Sequence, residues 1–66
     1  MNEELVKTVD EYLDKFISSD LVTIKIKDEN YPPESLKRMM LNRIKERNLE
    51  GVTAYMFIKE LYLEKI

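Results

Sequence analysis

One short segment with the alternation of a β-strand constrains this chain more than any other feature. Residues 21–27 place apolar and polar side chains on opposite sides of an extended backbone. The side chains on one side are Val22, Ile24 and Ile26, and those on the other are Thr23, Lys25 and Lys27. A lone strand leaves its backbone N–H and C=O groups unpaired. A second strand must therefore come either from the C-terminal segment or from another chain.

The size of the chain favours a partner. Its 66 residues have a mass of 7.9 kDa, which predicts a single domain over residues 1–66. A domain this small buries only about 60% of the surface that its unfolded chain exposes. With no cysteine and no histidine, neither disulfides nor a Cys/His zinc site can supplement its core. We therefore expect a homodimer or a higher oligomer.

Two segments repeat apolar residues at helical spacing. Residues 3–17 predict an N-terminal helix that Asn2 caps. Residues 34–48, which follow a proline pair, predict a second helix with apolar residues at steps of four. Gly51 is the only glycine, and we expect it to end that helix in the left-handed conformation.

Residues 52–66 are open to two interpretations. As a strand, the segment would be apolar on both faces. As a helix, it places Phe57, Ile58 and Leu61 on one stripe and Thr53 at the N-cap. Because a strand of this length would be unusual, we predict a helix. The predicted fold is α+β and mostly helical, with an N-terminal helix, one strand and two further helices.

The net charge of −2 is unevenly distributed. Residues 1–20 carry six acidic and two basic residues, whereas residues 21–66 carry seven acidic and nine basic residues. The most basic stretch, residues 37–47, has five Lys or Arg and one Glu, and Arg43 is expected to be exposed there. The chain thus divides into an acidic N-terminal helix and a mildly basic strand–helix–helix unit.

The composition excludes several function classes. Without Cys or His there is no thiol nucleophile and no imidazole acid–base group, and one glycine cannot form a glycine-rich phosphate loop. We therefore expect no enzyme activity, no cofactor and no metal. No apolar run approaches the roughly 18 residues of a membrane span, and the N-terminus does not read as a secretory signal. The expected location is cytoplasmic, with no membrane partner.

The order of elements carries a family resemblance. A strand and a helix precede the turn Gly51-Val52-Thr53, and the run Phe57-Ile58-Lys59-Glu60-Leu61 follows it. Over residues 22–66 this order resembles the ribbon–helix–helix family of DNA-binding repressors. In that family the strands of two subunits pair into a ribbon that enters the major groove. The resemblance implies an intertwined homodimer that regulates transcription by binding a specific sequence of double-stranded DNA.

The resemblance also implies roles for individual residues. The residues implied to face the bases are Thr23, Lys25 and Lys27, and those implied to hold a phosphate are Thr53, Ala54 and Tyr55. The implied dimer core consists of Val22, Ile24, Ile26, Leu36, Met40, Ile44, Phe57, Ile58 and Leu61.

Two alternatives stay open. Residues 44–61 also resemble the first two helices of a winged helix–turn–helix, whose recognition helix would have to follow Ile66. Such a fragment would bind protein. A small acidic inhibitor or antitoxin-like protein is the other alternative, with residues 1–20 mimicking nucleic acid. A repressor would bind duplex DNA with a steep salt dependence, whereas a protein inhibitor would not.

Overall fold

The computed structural model describes residues 2–66, which form two helices and one three-stranded antiparallel sheet. In chain order the elements are α1 (Glu3–Ile17), β1 (Thr23–Ile26), α2 (Pro33–Glu46), β2 (Val52–Phe57) and β3 (Glu60–Lys65). The sheet has the order β1-β3-β2, so its central strand is the last of the three in the sequence. Within the described residues, no helix has the length and apolar character needed to cross a membrane.

The N-terminal helix has the bounds that its periodicity predicts. The side chain of Asn2 accepts a hydrogen bond from a first-turn backbone N–H at 3.1 Å. This caps the helix, and the acidic residues of the first turn suit the positive end of its dipole. Val9, Leu13 and Phe16 lie at steps of four and three and are buried. They form the face of α1 that enters the core.

The second helix ends earlier than Gly51. Its last helical residue is Glu46, and the left-handed residue that follows is Asn48, with φ of 54°. Asparagine adopts this conformation more readily than other residues with a Cβ, so it replaces glycine at such positions. Gly51, with φ of 76°, lies directly before β2. The prediction that Gly51 ends the helix is therefore wrong.

The helix predicted over residues 52–66 is also wrong, because this segment is a β-hairpin. β2 and β3 have six residues each and pair from Val52 opposite Lys65 to Phe57 opposite Glu60. Alternate residues of both strands are buried, as in a sheet with one covered face. The segment is long because it holds two strands joined by two residues, not because it is helical. Thr53 therefore caps no helix.

The strand partner of β1 lies in the same chain. β1 pairs antiparallel with β3, from Thr23 opposite Glu64 to Ile26 opposite Leu61. The predicted ribbon–helix–helix layout, with its strand paired across a dimer, is therefore contradicted. The second resemblance also fails, since a strand occupies the place of its second helix. Because β1 already has a partner strand in its own chain, the argument for a dimer from an unpaired strand is lost. Dimerisation stays a prediction that depends on the small size of the domain.

The core lies between the two helices and the inner face of the sheet. Its buried members are Val9, Leu13, Phe16, Ile26, Leu36, Met40, Val52, Ala54, Leu61 and Leu63. The residues implied to form a dimer core therefore separate into three groups. Ile26, Leu36, Met40 and Leu61 belong to this chain's own core, Ile24 and Ile44 are half-buried, and Val22, Phe57 and Ile58 are exposed.

Candidate nucleic-acid interface

Helix α2 carries basic residues on two different faces. One face turns towards α1 and holds Arg43, with Arg47 at the C-cap that follows. The other face holds Lys37, Arg38, Leu41, Asn42 and Lys45, which share one side of the helix at steps of one, three and four, and the exposed Glu34 lies at its N-terminal end. We call the first five of these residues the α2 stripe. Four of its members are exposed and Lys37 is half-buried.

The first face is held by ion pairs with α1. Arg43 donates from Nε to Asp10 Oδ1 at 3.0 Å and from Nη2 to Asp10 Oδ2 at 3.1 Å, which is a bidentate contact. Arg47 donates to Asp10 Oδ1 at 3.2 Å and to Asp14 Oδ1 at 2.7 Å. The side chain of Arg43 is only 20% exposed. The expectation that Arg43 is exposed is therefore wrong.

These ion pairs between α1 and α2 lower the pKa of Asp10. The hydrogen bonds from Arg43 hold the pKa of the Asp10 carboxyl below its usual range, and the charge of Arg47 acts in the same direction. Arg43 also contacts Glu46 at 3.1 Å. Two acidic residues of the N-terminal segment are thus engaged within the chain, so they are poor candidates for mimicry of a nucleic acid.

We expect the substitution Asp10→Asn to lower the melting temperature at neutral pH. Because the pKa of Asp10 is lower in the folded state than in the unfolded state, its stabilising contribution is complete above the unfolded pKa of about 3.9. The contribution is lost as the pH falls through the lowered folded pKa. Thermal unfolding followed by circular dichroism at several pH values would measure the difference between the two proteins.

The exposed residue Glu11 provides the matched control, since it lies on the same helix outside these ion pairs. Glu11→Gln should leave the melting temperature unchanged at each pH. If the melting temperature of Asp10→Asn stayed below that of the wild type by the same amount down to strongly acidic pH, the stabilisation could not come from the Asp10 charge.

The cations of the α2 stripe have no such partners. Among residues 2–66, the salt bridges within 4.0 Å involve only Arg43 and Arg47 as cations, so Lys37, Arg38 and Lys45 are unpaired. Asn42 and Leu41 lie between them on the same surface. Unpaired Lys and Arg side chains contact phosphates, and Arg and Asn form bidentate hydrogen bonds with guanine and adenine. The stripe therefore combines the two kinds of contact that duplex DNA offers.

The α2 stripe borders a groove that leads to the β-hairpin. Met56, near the end of β2, lines this groove together with Glu34 at the start of α2 and four members of the stripe, Lys37, Arg38, Leu41 and Asn42. Beyond Met56 the hairpin ends in Phe57, Ile58 and Lys59, which are all exposed. We call these three residues the hairpin tip. The turn residue Ile58 is thus two residues from the groove, whereas Phe57 alternates with Met56 and lies on the outer side of the sheet.

The residues that the repressor resemblance assigned to DNA lie elsewhere. Thr23 and Lys25 are on the outer face of the sheet, and Lys27 follows the end of β1. Thr53 and Tyr55 share this outer face, whereas Ala54 points into the core. The structure thus brings the Thr and Tyr residues together, but it separates them from Ala54 and supplies no helix N-terminus there.

The outer face of the sheet carries no excess of basic residues. This face carries Glu60 and Glu64 of the central strand as well as Lys25, and Glu64 accepts a hydrogen bond from Thr23 Oγ1 at 3.4 Å. The rings of Tyr55 and Tyr62 stack with their centroids 5.6 Å apart, as cross-strand aromatic pairs often do. Because its Glu residues offset Lys25, this face has no preference for a polyanion.

A second polar cluster is structural. The Tyr12 hydroxyl donates to Asp28 Oδ2 at 2.7 Å, and Asp28 Oδ1 accepts from the backbone N–H groups of Asn30 and Tyr31. Burial, together with this hydrogen bond to a carboxylate, raises the pKa of Tyr12 to about 12. The contact fixes the loop before α2 against α1. Within the described residues, no group of three or more Asp or Glu has the geometry to hold a metal ion.

Comparisons of this chain with family models, with curated proteins and with solved structures find no match. The candidate site therefore depends on the geometry alone. Sequence reasoning identified the basic stretch 37–47 but did not separate its two faces. Two sequence features could have separated the faces. Lys37, Arg38, Asn42 and Lys45 are spaced to share one side of a helix, and Asp10 and Asp14 of α1, four residues apart, could pair with the basic residues of the other side.

Proposed function

We propose that this protein binds double-stranded DNA and regulates transcription, with α2 in the major groove. The observation that carries the proposal is the α2 stripe, in which three unpaired cations flank an exposed asparagine on one helical face. The 14 residues of α2 give a helix about 21 Å long, and the major groove is wide enough to admit a helix. The proposed interface is thus α2 and not a two-stranded ribbon.

The charge arrangement supports a duplex as the partner. The chain is acidic overall, with a net charge of −2, so a general attraction to polyanions is absent. The stripe is nevertheless basic because Asp10 and Asp14 are engaged with Arg43 and Arg47 on the opposite side of α2. The electrostatic contribution is therefore small and local: it comes from Lys37, Arg38 and Lys45, and the exposed Glu34 in the same groove offsets part of it.

The salt dependence of the binding constant should consequently be shallow, with a slope set by the number of phosphate contacts. With Arg38 on a base, two phosphate contacts from Lys37 and Lys45 predict a slope of log K against log salt of about −1.8, which is 0.9 per contact. Affinity for any duplex should then fall roughly 12-fold between about 50 and about 200 mM salt. Fluorescence anisotropy titrations with labelled duplexes at several salt concentrations would measure this slope for the whole chain.

A matched pair of variants distinguishes DNA binding by α2 from DNA binding by the outer face of the sheet. Lys45→Ala should weaken binding to every duplex alike and lower the salt slope by about one. Lys25→Ala removes the same charge from the outer face of the sheet and should change neither quantity. If instead Lys25→Ala reduced affinity for a preferred sequence by about 1–3 kcal/mol while Lys45→Ala did nothing, the outer face of the sheet would be the reading element. If the wild-type chain bound no duplex more tightly than about 10⁻⁴ M at low salt, the protein-inhibitor alternative would replace DNA binding.

A further inference from the structure

The backbone of the hairpin tip is held in an unfavourable conformation. β2 and β3 are joined by two residues, Ile58 and Lys59, whose φ values are 47° and 62°. Two-residue hairpin turns of this kind require positive φ at both positions and therefore favour Asn-Gly. A β-branched residue at positive φ is a true outlier, so isoleucine is a poor residue for this turn.

The strain is not compensated within the chain. Ile58 is 78% exposed and Phe57 is 58% exposed, so neither side chain gains much from the core. An Asn at position 58 would relieve the backbone and remove exposed apolar surface at the same time. Strained residues that persist without a structural gain are concentrated at functional sites. The combination of strain and exposure therefore points to an external contact.

The position of the tip indicates which partner it contacts. Met56 lines the groove that borders the α2 stripe, and Ile58 follows it two residues later. A duplex lying on the stripe would consequently lie beside the tip. The tip also carries Lys59, which is exposed and forms no salt bridge among residues 2–66. Apolar residues accompanied by a cation are the combination that proteins insert into the minor groove of DNA.

We propose that the hairpin tip is a second DNA contact, in which Ile58 wedges into the minor groove of the duplex held by α2. This inference depends on the proposed function, since α2 supplies the duplex. Lys59 would contact a phosphate beside the wedge. Side chains inserted between base steps unstack them partly and kink the duplex by roughly 20–90°. The protein would therefore bend the DNA that it binds.

The test is a pair of isoleucine substitutions at opposite ends of the hairpin. Ile58→Asn keeps Lys59 and gives the turn a residue that suits positive φ, whereas Ile66→Asn changes an isoleucine that is 86% exposed at the far end of β3. Ile58→Asn should raise the melting temperature, weaken duplex binding roughly tenfold and abolish the bend. Ile66→Asn should leave affinity and bend unchanged. Energy transfer between dyes at the two duplex ends measures bending, and anisotropy measures affinity.

Each other outcome has a defined meaning. If the wild-type chain binds a duplex and Ile58→Asn binds and bends it equally, the wedge is wrong and DNA binding by α2 stands. If Ile58→Asn lowers the melting temperature, Ile58 is a structural residue and the wedge is again wrong. If the wild-type chain binds no duplex at low salt, the proposed function and the wedge are both wrong.

Discussion

Replacing Leu61 with alanine is expected to reduce the free energy of unfolding by about 2–5 kcal/mol. Leu61 is fully buried and belongs to the central strand, where it lies opposite Ile26 on one side and Met56 on the other. Its truncation leaves a cavity bordered by both edge strands. A domain of this size has a total stability of about 3–10 kcal/mol, so much of the population should unfold at physiological temperature.

The same substitution at Leu41 provides the control. Leu41 is 40% exposed on the α2 stripe, so Leu41→Ala should change the free energy of unfolding by no more than about 0.5 kcal/mol. Urea unfolding followed by circular dichroism at 222 nm, a wavelength that reports helix content, would compare the two variants under identical conditions. A loss for Leu61→Ala no greater than that for Leu41→Ala would contradict the assignment of Leu61 to the centre of the core.

The second large effect concerns binding. Arg38→Ala and Asn42→Ala each remove a side chain that forms bidentate hydrogen bonds with a base, and each should weaken binding to the preferred duplex by about 1–3 kcal/mol. The two residues are one helical turn apart, so they would read neighbouring base pairs. The double variant should therefore bind preferred and scrambled duplexes with similar affinity. Both side chains are exposed, and the fold should be unaffected.

Anisotropy titrations of the wild type, the two single variants and the double variant on preferred and scrambled duplexes would measure this loss of specificity. Lys45→Ala is the informative comparison because it removes a charge without removing a base contact. It should lower affinity for both duplexes equally and keep their ratio. If Arg38→Ala and Asn42→Ala also kept that ratio, α2 would contact only the DNA backbone.

The sequence was sufficient to predict three of the five elements. In α1 and α2 the apolar residues recur at steps of three and four, and Asn2 or a proline pair indicates where the helix begins. In β1 the alternation of Ile24 and Ile26 with Thr23 and Lys25 indicates a strand. These patterns are local, and the tertiary structure has no reason to override them.

The hairpin was not predicted because its turn, Ile58-Lys59, lacks the Asn and Gly residues that usually indicate a hairpin turn. With Asn-Gly at positions 58 and 59, residues 52–66 would divide visibly into two strands. With Ile58 and Lys59 there, the segment is an unbroken run that fits a helical stripe equally well. The error then extended to the partner of β1, because a helix at residues 52–66 left β1 without a strand in its own chain. The feature that misled the prediction is the one that supports the hairpin-tip proposal.

The candidate site was only partly predictable for a different reason. The basic stretch 37–47 is evident, but its two faces are distinguished by what α1 places opposite them. Asp10 is 33 residues from Arg43 in the sequence, and nothing local shows that the two are paired. Lys25 and Lys27 are as basic as the residues of the stripe and likewise form no salt bridge among residues 2–66, but Glu60 and Glu64 share the outer face of the sheet with Lys25. Tertiary proximity, not composition, decides which cations are available.

The position of β3 at the centre of the sheet has a consequence for synthesis on the ribosome. Both β1 and β2 hydrogen-bond only to β3, so neither has a neighbouring strand until residues 60–65 have been made. The ion pairs between α1 and α2 involve residues 10–47 and become available earlier. A nascent chain that stops short of residue 60 is therefore limited to an associated helix pair with exposed apolar faces. The whole sheet then forms in one late step, when the strand that joins its two edges is released.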